Sequence, residues 1–543
     1  MSNKQEHNSA VLDSAHVGDI RGAFGTIKQD DHGERKGLWH RFRTLLAILG
    51  PGLIVMVGDN DAGGFSTYAQ AGQNYGTTLL WTMALLIPVL YVNQEMVLRL
   101  GAVTGVGHAR LILERFGKFW GAFSAIDLFL LNALTIVTEF IGITLAMQYL
   151  GVPKELGVIA SAVLIMMAVS TGDFRRFERF SMILVIFSLL LVPLFFMIHP
   201  PMAQIAHDLV IPGMPKGGKL SDVMLLIIGI VGTTIAPWQL FFQQSYIIDK
   251  RITPRFIKYE RADLWLGIIL VLIGAIAIIC FTAAVFAGTP EFGNFQDTGA
   301  VAAALGKHHS HLAGVLFAVA LIDASLIGAS AVSLSTAYAL GDVLSLKHSL
   351  HRKPGDAKGF YAMYCLLIAG AAALVLIPGV PLGLLTNAVQ TLAGVLLPSA
   401  TVFLLILCND KDVLGPWVNS RFTNLLTGLI VAVLVLLSVV LTASVLWPDM
   451  SGETIIDILV GGGVLGVIVV LAAHVVRLRK EADTPSKHKH SHKDILNWRM
   501  PPLDQLKPMA LSNSNKVWMT VLRGYLVIAV VMVIYKVVQV SMA

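Results

Sequence analysis

The chain has 543 residues, of which 55% are hydrophobic and 14% charged, and its mean hydropathy is +0.72. Soluble globular domains carry about 25% charged residues, so the composition excludes a soluble protein and predicts an all-α integral membrane protein surrounded by the lipid bilayer. The net charge of +6 does not indicate a nucleic-acid partner, because the basic residues are dispersed between apolar segments, and no obligate protein partner is expected.

Residues 1–42 form a polar N-terminal tail without the apolar core of a signal peptide, so we expect the tail to stay in the cytoplasm. Apolar segments long enough to cross a hydrocarbon core of about 30 Å as helices follow it. They lie at residues 43–69, 77–98, 119–150, 156–170, 180–199, 222–247, 263–287, 312–340, 359–379, 382–408, 424–446 and 456–478. Residues 517–541 are a further candidate, either a thirteenth span or an interfacial helix.

These spans divide into two halves of five helices each and a C-terminal pair. The predicted organisation is a first repeat at 43–199, an extracellular loop at 200–221, a second repeat at 222–408, two further transmembrane helices at 409–478, a polar tail at 479–516 and the candidate helix at 517–543. Lys and Arg concentrate in every second loop, as the positive-inside rule requires of a chain with a cytoplasmic N-terminus. Examples in the basic loops are Arg115, Arg175, Arg179, Lys250, Arg251 and Arg352.

The first span contains the stretch VGDNDAGGF (57–65), which places two carboxylates and three glycines inside an apolar run. Glycine allows a backbone to leave helical geometry, so we expect the helix to break between Gly58 and Gly64. Unwound backbone at this depth is tolerated only where it faces protein, water or a ligand. A cation would satisfy both the freed carbonyls and the carboxylates of Asp59 and Asp61.

The sixth span repeats this interruption at GIVGTTIAPWQ (229–239), where Gly232 and Pro237 break an apolar helix. Paired discontinuous helices in two five-span halves are typical of inverted-repeat transporters, which bind substrate where the two breaks meet near the middle of the bilayer. The residues therefore indicate a cation transporter. They contain no nucleophile–base arrangement and no phosphate loop, so no enzymatic activity and no cofactor are expected.

Several motifs resemble the NRAMP divalent-metal transporters across about residues 45–410. GPGLIVMVGDNDAGGFSTYAQAGQNYGTTLLW (50–81) is similar to the first span of that family, QEMVLRLGAVTG (94–105) to the second, TEFIG (138–142) to the third and NAVQTLAGVLLP (387–398) to the tenth. The resemblance implies a LeuT-like fold with two inverted repeats of five helices plus C-terminal helices. It also implies a bacterial cytoplasmic membrane, a divalent metal ion as the substrate and no resident cofactor.

The departures from the family pattern point to a particular ion. Asp61 keeps the metal-binding aspartate of the family, but Gly64 replaces its asparagine and Ala236 replaces its methionine. A thioether suits Mn²⁺ or Fe²⁺, whereas Mg²⁺ takes oxygen ligands and keeps several waters. The pattern therefore resembles the NRAMP-related magnesium transporters and predicts import of a largely hydrated Mg²⁺, with Mn²⁺ as a further substrate.

The resemblance also implies roles for the other site residues. Backbone carbonyls of Gly58 and Thr233 and the amide of Gln390 join Asp61 as metal-site candidates. Asp59 has no counterpart in the usual motif, and it is about equally well explained as a second charge on the ion or as part of the access path. Glu139, Trp238 and Gln239 are candidates for the transport path, although Glu139 is equally well explained as a structural partner and Trp238 as a space-filling side chain.

Proton coupling is not expected, because the relay of the family is missing. Ile136 and Trp238 occupy its aspartate and histidine positions, and the span 359–379 has no arginine. The alternative is a proton-coupled Mn²⁺ or Fe²⁺ symporter of the NRAMP type whose relay runs through Glu139 and Asp127. A metal-sensing receptor that does not transport is a third hypothesis, disfavoured because no sizeable soluble domain exists to carry a signal.

Overall fold

The computed structural model describes residues 11–215, 219–378, 382–447, 451–482 and 492–509, together with residues 524 and 527. The chain begins with a hairpin of strands β1 (Ile20–Gly22) and β2 (Gly25–Ile27), in which Ile20 pairs with Ile27. All other regular elements of this part of the chain are helical. The structure therefore confirms the predicted all-α membrane fold.

The helices of the first half begin with a bent pair and an interruption. They are α1 (Leu38–Ile48), α2 (Pro51–Val57), α3 (Ala62–Tyr75), α4 (Trp81–Thr104), α5 (His108–Phe116), α6 (Lys118–Tyr149), α7 (Lys154–Val169), α8 (Phe174–Phe187) and α9 (Leu191–Ile198). The predicted first span, 43–69, differs from the structure at its start, because the chain bends by 53° between α1 and α2 and residues 43–48 belong to α1. Gly50 has a φ of 152° and is followed by Pro51, so the interrupted span consists of α2 and α3.

The second half repeats this plan after a short helix, α10 (Met202–Val210), in the segment predicted as an extracellular loop. Its helices are α11 (Leu220–Thr234), α12 (Pro237–Asp249), α13 (Ile257–Phe286), α14 (Thr298–His308), α15 (His311–Val343), α16 (Lys358–Val375) and α17 (Leu382–Leu407). The second interruption falls between α11 and α12. The predicted breaks in the first and sixth spans are therefore both present.

The C-terminal part consists of α18 (Lys411–Leu414), α19 (Arg421–Leu446), α20 (Gly452–Ala482) and α21 (His492–Asn497). The predicted polar tail, 479–516, is partly ordered against the bundle, since the Arg115 guanidinium donates to the Lys507 carbonyl. Of the candidate helix at 517–543, only residues 524 and 527 are described. Ten helices within the described ranges are long and apolar enough to span a membrane, or eleven if the bent pair α1–α2 is counted.

Small residues bring the interrupted helices into the centre of the bundle. A Cβ built on Gly232 of α11 would overlap the Gly394 backbone nitrogen of α17, and a Cβ on Gly267 of α13 would lie 2.5 Å from the Gly52 carbonyl oxygen of α2. In a membrane, helix association relies on such close packing because lipid tails are as apolar as the side chains. These contacts hold both interruptions between α13 and α17.

A buried lysine fixes the bend between α1 and α2. Lys250 Nζ donates to the carbonyls of Ile48 (2.6 Å) and Leu49 (2.8 Å) and to Glu178 Oε1 (2.7 Å). Both ionic side chains are 0% exposed. Asp263 accepts from the N–H groups of Gly50 (3.1 Å) and Gly52 (2.6 Å) on the other side of the bend. We call these contacts the Lys250 clamp.

The N-terminal segment, residues 11–37, docks on the same end of the bundle as the Lys250 clamp. Glu178 Oε2 accepts from Ala23 N in the hairpin (2.5 Å). Asp13 accepts from the Arg352 guanidinium (2.6 Å) and from His348 N (3.0 Å), in the loop after α15. The predicted N-terminal tail, 1–42, therefore contains an ordered segment that bridges the two halves, through the hairpin on one side and Asp13 on the other.

The Lys250 clamp predicts a large stability loss for Lys250→Met. Methionine fills a similar volume but leaves Glu178 as a buried charge without its partner, which typically costs about 3–5 kcal/mol. We expect a clearly lower melting temperature of the purified protein, with part of the loss recovered in Lys250→Met/Glu178→Gln. The exposed Lys347 provides the control, since Lys347→Met should leave the melting temperature unchanged. A Lys250→Met protein as stable as the parent would contradict the clamp.

The loop after α15 predicts a loss of stability at alkaline pH. Burial works to lower the pKa of His348, but the Asp342 carboxylate at 2.9 Å outweighs burial and raises the pKa to about 9. A raised pKa stabilises the fold fully below the ordinary value of about 6.5, and this contribution is lost as the pH rises through 9. Melting temperatures between pH 6 and 10 should fall less steeply in His348→Gln, whereas His309→Gln in an exposed loop should keep the parental profile.

Candidate functional site

The first interruption is formed by four residues between α2 and α3. Gly58 ends α2 with its N–H donating to the Ile54 carbonyl (2.9 Å). Asp61 begins α3 as its N-cap with extended backbone, and its Oδ1 accepts from Gly64 N (2.8 Å). Between them, Asn60 Nδ2 donates to the Val271 carbonyl of α13 (3.0 Å). Side chains of the break itself therefore anchor the unwound backbone.

The second interruption is shorter and is made by Ile235 and Ala236. Ile235 leaves helical geometry (φ −138°, ψ 74°), and Ala236 precedes Pro237 with extended backbone. Proline suits the first turn of a helix because it has no N–H to satisfy there. The methyl side chain of Ala236 cannot accept a hydrogen bond and so cannot cap α12. The N–H groups at the start of this helix are therefore available to another residue or to a ligand.

The two interruptions face each other through the helices that carry them. Thr233 Oγ1 lies 3.6 Å from the position that a Cβ on Gly64 would take. One turn further along, the Tyr68 hydroxyl hydrogen-bonds Thr234 Oγ1 (2.7 Å). Gly64 and Thr233 therefore lie close together, as required if both belong to one site.

Three carboxylates lie in or beside the first interruption and are almost completely buried. Asp59, Asp61 and Glu139 are 0%, 3% and 0% exposed, respectively. A Cβ on Gly328 of α15 would lie 2.9 Å from both Asp61 Cβ and Glu139 Cδ, so these two side chains are neighbours. Glu139 Oε2 accepts from Ala62 N (3.1 Å) at the start of α3. In the described chain, no Lys or Arg forms an ion pair with any of the three.

Several polar atoms around the interruptions have no hydrogen-bond partner within the described ranges. They are Asp59 Oδ2, Glu139 Oε1, Thr233 Oγ1, Trp238 Nε1 and Gln390 Nε2. Buried polar atoms in native proteins are usually satisfied by protein or by bound water. A polar ligand that brings its own waters would supply the missing hydrogen-bond partners of these atoms.

Gln390 of α17 and Trp238 of α12 close the site from two sides. A Cβ on Gly63 would overlap the Gln390 amide, so this side chain lies directly against the first break. The Trp238 ring lies 3.4 Å from the Cβ position of Gly58, and the Trp238 carbonyl accepts from Ser335 Oγ (2.8 Å). Trp238 therefore packs against the end of α2.

Asp59 is held by a side chain of the opposite interrupted helix. Its Oδ1 accepts a short hydrogen bond from Gln239 Nε2, and Gln239 Oε1 accepts from Gln94 Nε2 of α4 (2.9 Å). Gln239 is one of the predicted transport-path residues, whereas Gln94 and Asn60 are not among the predicted site residues. The available signal was an amide inside an apolar span, at the start of QEMVLRL for Gln94.

A narrow cavity leads from the first interruption towards α14. It has a volume of about 10 Å³ and is lined by Ala62, Ser66, Thr138, Gly142, Asp297 and Thr386. This is room for about one water molecule. Within the described residues, no group of three or more His, Cys, Asp or Glu side chains is arranged to hold a metal ion. A metal here would therefore depend on backbone, amide and hydroxyl oxygens as well as Asp61.

Residues 52–444 match the family model described as natural resistance-associated macrophage protein-like (Nramp). The divalent metal cation transporter MntH of Ralstonia nicotianae is 30% identical over 417 residues, covering 73% of this chain and 90% of that protein. The MntH of Levilactobacillus brevis is 27% identical over 442 residues, covering 76% and 92%.

Among solved structures, the manganese transporter of Eremococcus coleocola in complex with an aromatic bis-isothiourea substituted compound is similar, with a TM-score of 0.62 at 21% identity. The match covers 82% of this chain and 97% of that chain. Its H236A mutant has a TM-score of 0.62 at 20% identity, covering 88% and 99%. At this level of identity, the likeness establishes a shared fold.

Proposed function

The chain belongs to the Nramp family, and from this premise we propose that it imports divalent metal cations across a bacterial cytoplasmic membrane, with Mg²⁺ as the main substrate and Mn²⁺ as a further one. The observation that carries the proposal is that Asp61 is buried at the first break, while Gly64 and Ala236 stand where the family has its asparagine and methionine. The relatives are named as divalent metal cation transporters, not as enzymes.

The donors around the two interruptions favour a hard cation. Asp61 and Asp59 offer carboxylate oxygens, Thr233 a hydroxyl and Gln390 an amide, and Gly58, which ends α2, offers its backbone carbonyl. Oxygen ligands suit Mg²⁺, whereas a thioether at position 236 would favour softer ions. Alanine at this position therefore removes the ligand by which the family would prefer manganese.

Retained water fits the unpartnered polar atoms better than a fully stripped ion does. Mg²⁺ loses its waters reluctantly and usually keeps several of them when bound. Glu139 Oε1, Asp59 Oδ2 and Thr233 Oγ1 can each accept a hydrogen bond from a water on the ion. The cavity beside Ala62 is too small for a hydrated ion, so passage of such an ion on this side would require the helices to separate during transport.

Ion entry without proton coupling is supported by the composition of α16 and by Trp238. Helix α16 has Lys358 at its first residue and no arginine, and Trp238 occupies the histidine position of the family. For a divalent cation, the membrane potential supplies about 4.6 kcal/mol per 100 mV, at about 2.3 per charge. The potential and the ion gradient would therefore suffice for uptake.

The second candidate is a proton-coupled Mn²⁺ symporter. The similarity to a manganese transporter favours the ion, and the contact between Asp61 and Glu139 favours the coupling. Two neighbouring carboxyl groups can share a proton that a metal would displace. Acidification of vesicles together with metal entry would support this candidate. Mg²⁺ entry without any change in internal pH would support the uncoupled one.

The orientation in the membrane is proposed from the docking of the N-terminal segment. The Arg175 and Arg251 side chains donate to backbone carbonyls of this segment, at Gly25 and at Ala15 and Asp19. Arg175 lies in the first turn of α8 and Arg251 in the loop after α12, and both neighbourhoods are rich in positive charge. The positive-inside rule therefore supports a cytoplasmic N-terminus.

The site assignment predicts that Asp61→Ala abolishes uptake. Removing the buried carboxylate leaves the ion without its principal charge, so Mg²⁺ entry into proteoliposomes should fall to the level of empty vesicles. Asp356→Ala removes an exposed carboxylate and should transport like the parent. Parental uptake by a correctly folded Asp61→Ala protein would show that the ion binds elsewhere.

The selectivity assignment predicts that Gly64→Asn/Ala236→Met prefers Mn²⁺. A thioether and an added amide favour the softer ion and reduce the space for bound water, so the ratio of Mn²⁺ to Mg²⁺ uptake should rise by about tenfold or more, the equivalent of about 1.4 kcal/mol. Gly64→Asn/Ala236→Leu fills similar space without a sulfur ligand. It should lose Mg²⁺ uptake and gain no Mn²⁺ preference, and equal ratios in the two variants would refute a role for the thioether.

A further inference from the structure

Three buried polar side chains form a chain of hydrogen bonds that ends on the acid of the first interruption. Gln94 Nε2 of α4 donates to Gln239 Oε1 (2.9 Å), and Gln239 Nε2 of α12 donates to Asp59 Oδ1. All three residues are 0% exposed. They come from three different elements, so the arrangement is a product of the fold and not of local sequence.

The direction of this chain is determined by the Asp59 carboxylate, which can only accept hydrogen bonds. A carboxamide has a donor end and an acceptor end, and Gln94 occupies the acceptor end of Gln239. The donor end must then face Asp59. If Gln239 were reversed, its carbonyl oxygen would lie against the carboxylate, and two acceptors in contact inside a dry bundle repel each other strongly.

We propose that Gln94 is a positioning residue for ion binding: its hydrogen bond to Gln239 Oε1 keeps the Gln239 side chain against Asp59, and Gln239 in turn holds Asp59 by one oxygen and leaves Oδ2 for the ion or its water. This inference rests on the proposed function. Asp59 Oδ2 has no hydrogen-bond partner within the described ranges, so it is available as a ligand oxygen.

Gln94 acts on Asp59 only through Gln239. Within the described ranges, Gln94 Nε2 is the donor to Gln239 Oε1, while Gln94 Oε1 and both amide atoms of the neighbouring Asn93 have no hydrogen-bond partner. Losing the donor at position 94 therefore leaves the Gln239 amide held from one side, by its hydrogen bond to Asp59.

The test compares Gln94→Met with a matched glutamine on α12. Methionine has a similar shape but no donor, so a charge-assisted hydrogen bond to Asp59 is no longer enforced, and we expect KM for Mg²⁺ to rise about tenfold with kcat within about twofold of the parent. Gln244 is also 0% exposed, but its amide binds His108 and the Val106 carbonyl. Gln244→Met should keep the parental KM, even if it lowers the melting temperature.

A double-mutant cycle with Asp59→Asn separates positioning from general damage. An asparagine at position 59 removes the charged acceptor that Gln239 holds, so the position in which Gln94 keeps Gln239 no longer affects the ion. Gln94→Met should therefore raise KM in the parent and leave it unchanged in the Asp59→Asn background. The Mg²⁺ concentration that raises the melting temperature of the purified protein by half its maximum should follow the same pattern.

Each result has a defined meaning. A parental KM in Gln94→Met, an equal rise in Gln94→Met and Gln244→Met, or additive effects of Gln94→Met and Asp59→Asn would each overturn the positioning role. These results leave the transport proposal intact as long as Asp61→Ala abolishes Mg²⁺ uptake. If the parent protein shows neither Mg²⁺ uptake nor a Mg²⁺-dependent shift in melting temperature, the proposed function and the inference that rests on it are both overturned.

Discussion

Two helices are interrupted inside an apolar bundle, where neither lipid nor bulk water can satisfy a peptide group or a carboxylate. This constraint explains the arrangement around it. Asp61 caps α3, Glu139 accepts the N–H of Ala62, and Asn60 ties the unwound segment to α13. Backbone that is not helical is tolerated at this depth only when protein or a ligand satisfies it, so the polar side chains of four helices converge on the breaks.

The positions of the breaks were predictable because glycine and proline act on the backbone locally. Gly58 and Pro237 mark ends of half-helices in the sequence, and the structure has the ends there. Gly64, in contrast, lies inside the first turn of α3, which begins at Ala62. The meeting of Gly64 with Thr233 followed from pairing the two halves. The contact of Gln390 with Gly63 was suggested by the family resemblance, since nothing in the local sequence brings the tenth span to the first.

Other features depend on side chains far apart in the sequence and could not be predicted. Gln94 and Gln239 are separated by 145 residues, and only the register between α4 and α12 decides that their amides meet. Lys250 was recognised as a basic residue of a loop, yet it is fully buried against Glu178. The start of the first span differs between prediction and structure because the apolar residues 45–48 run on into α2 in the sequence, whereas the bend at Gly50 separates them from α2.

The Lys250 clamp has a kinetic consequence. The Lys250 ammonium group donates all three of its protons, two to the carbonyls before the bend and one to Glu178 of α8. Lys250 itself directly follows α12, the end of the second interrupted helix. Swinging α2 away from α12 must break these bonds together, because they share a single nitrogen. Substitutions at Lys250 would therefore act on the rate of such a motion and leave the residues of the two interruptions in place.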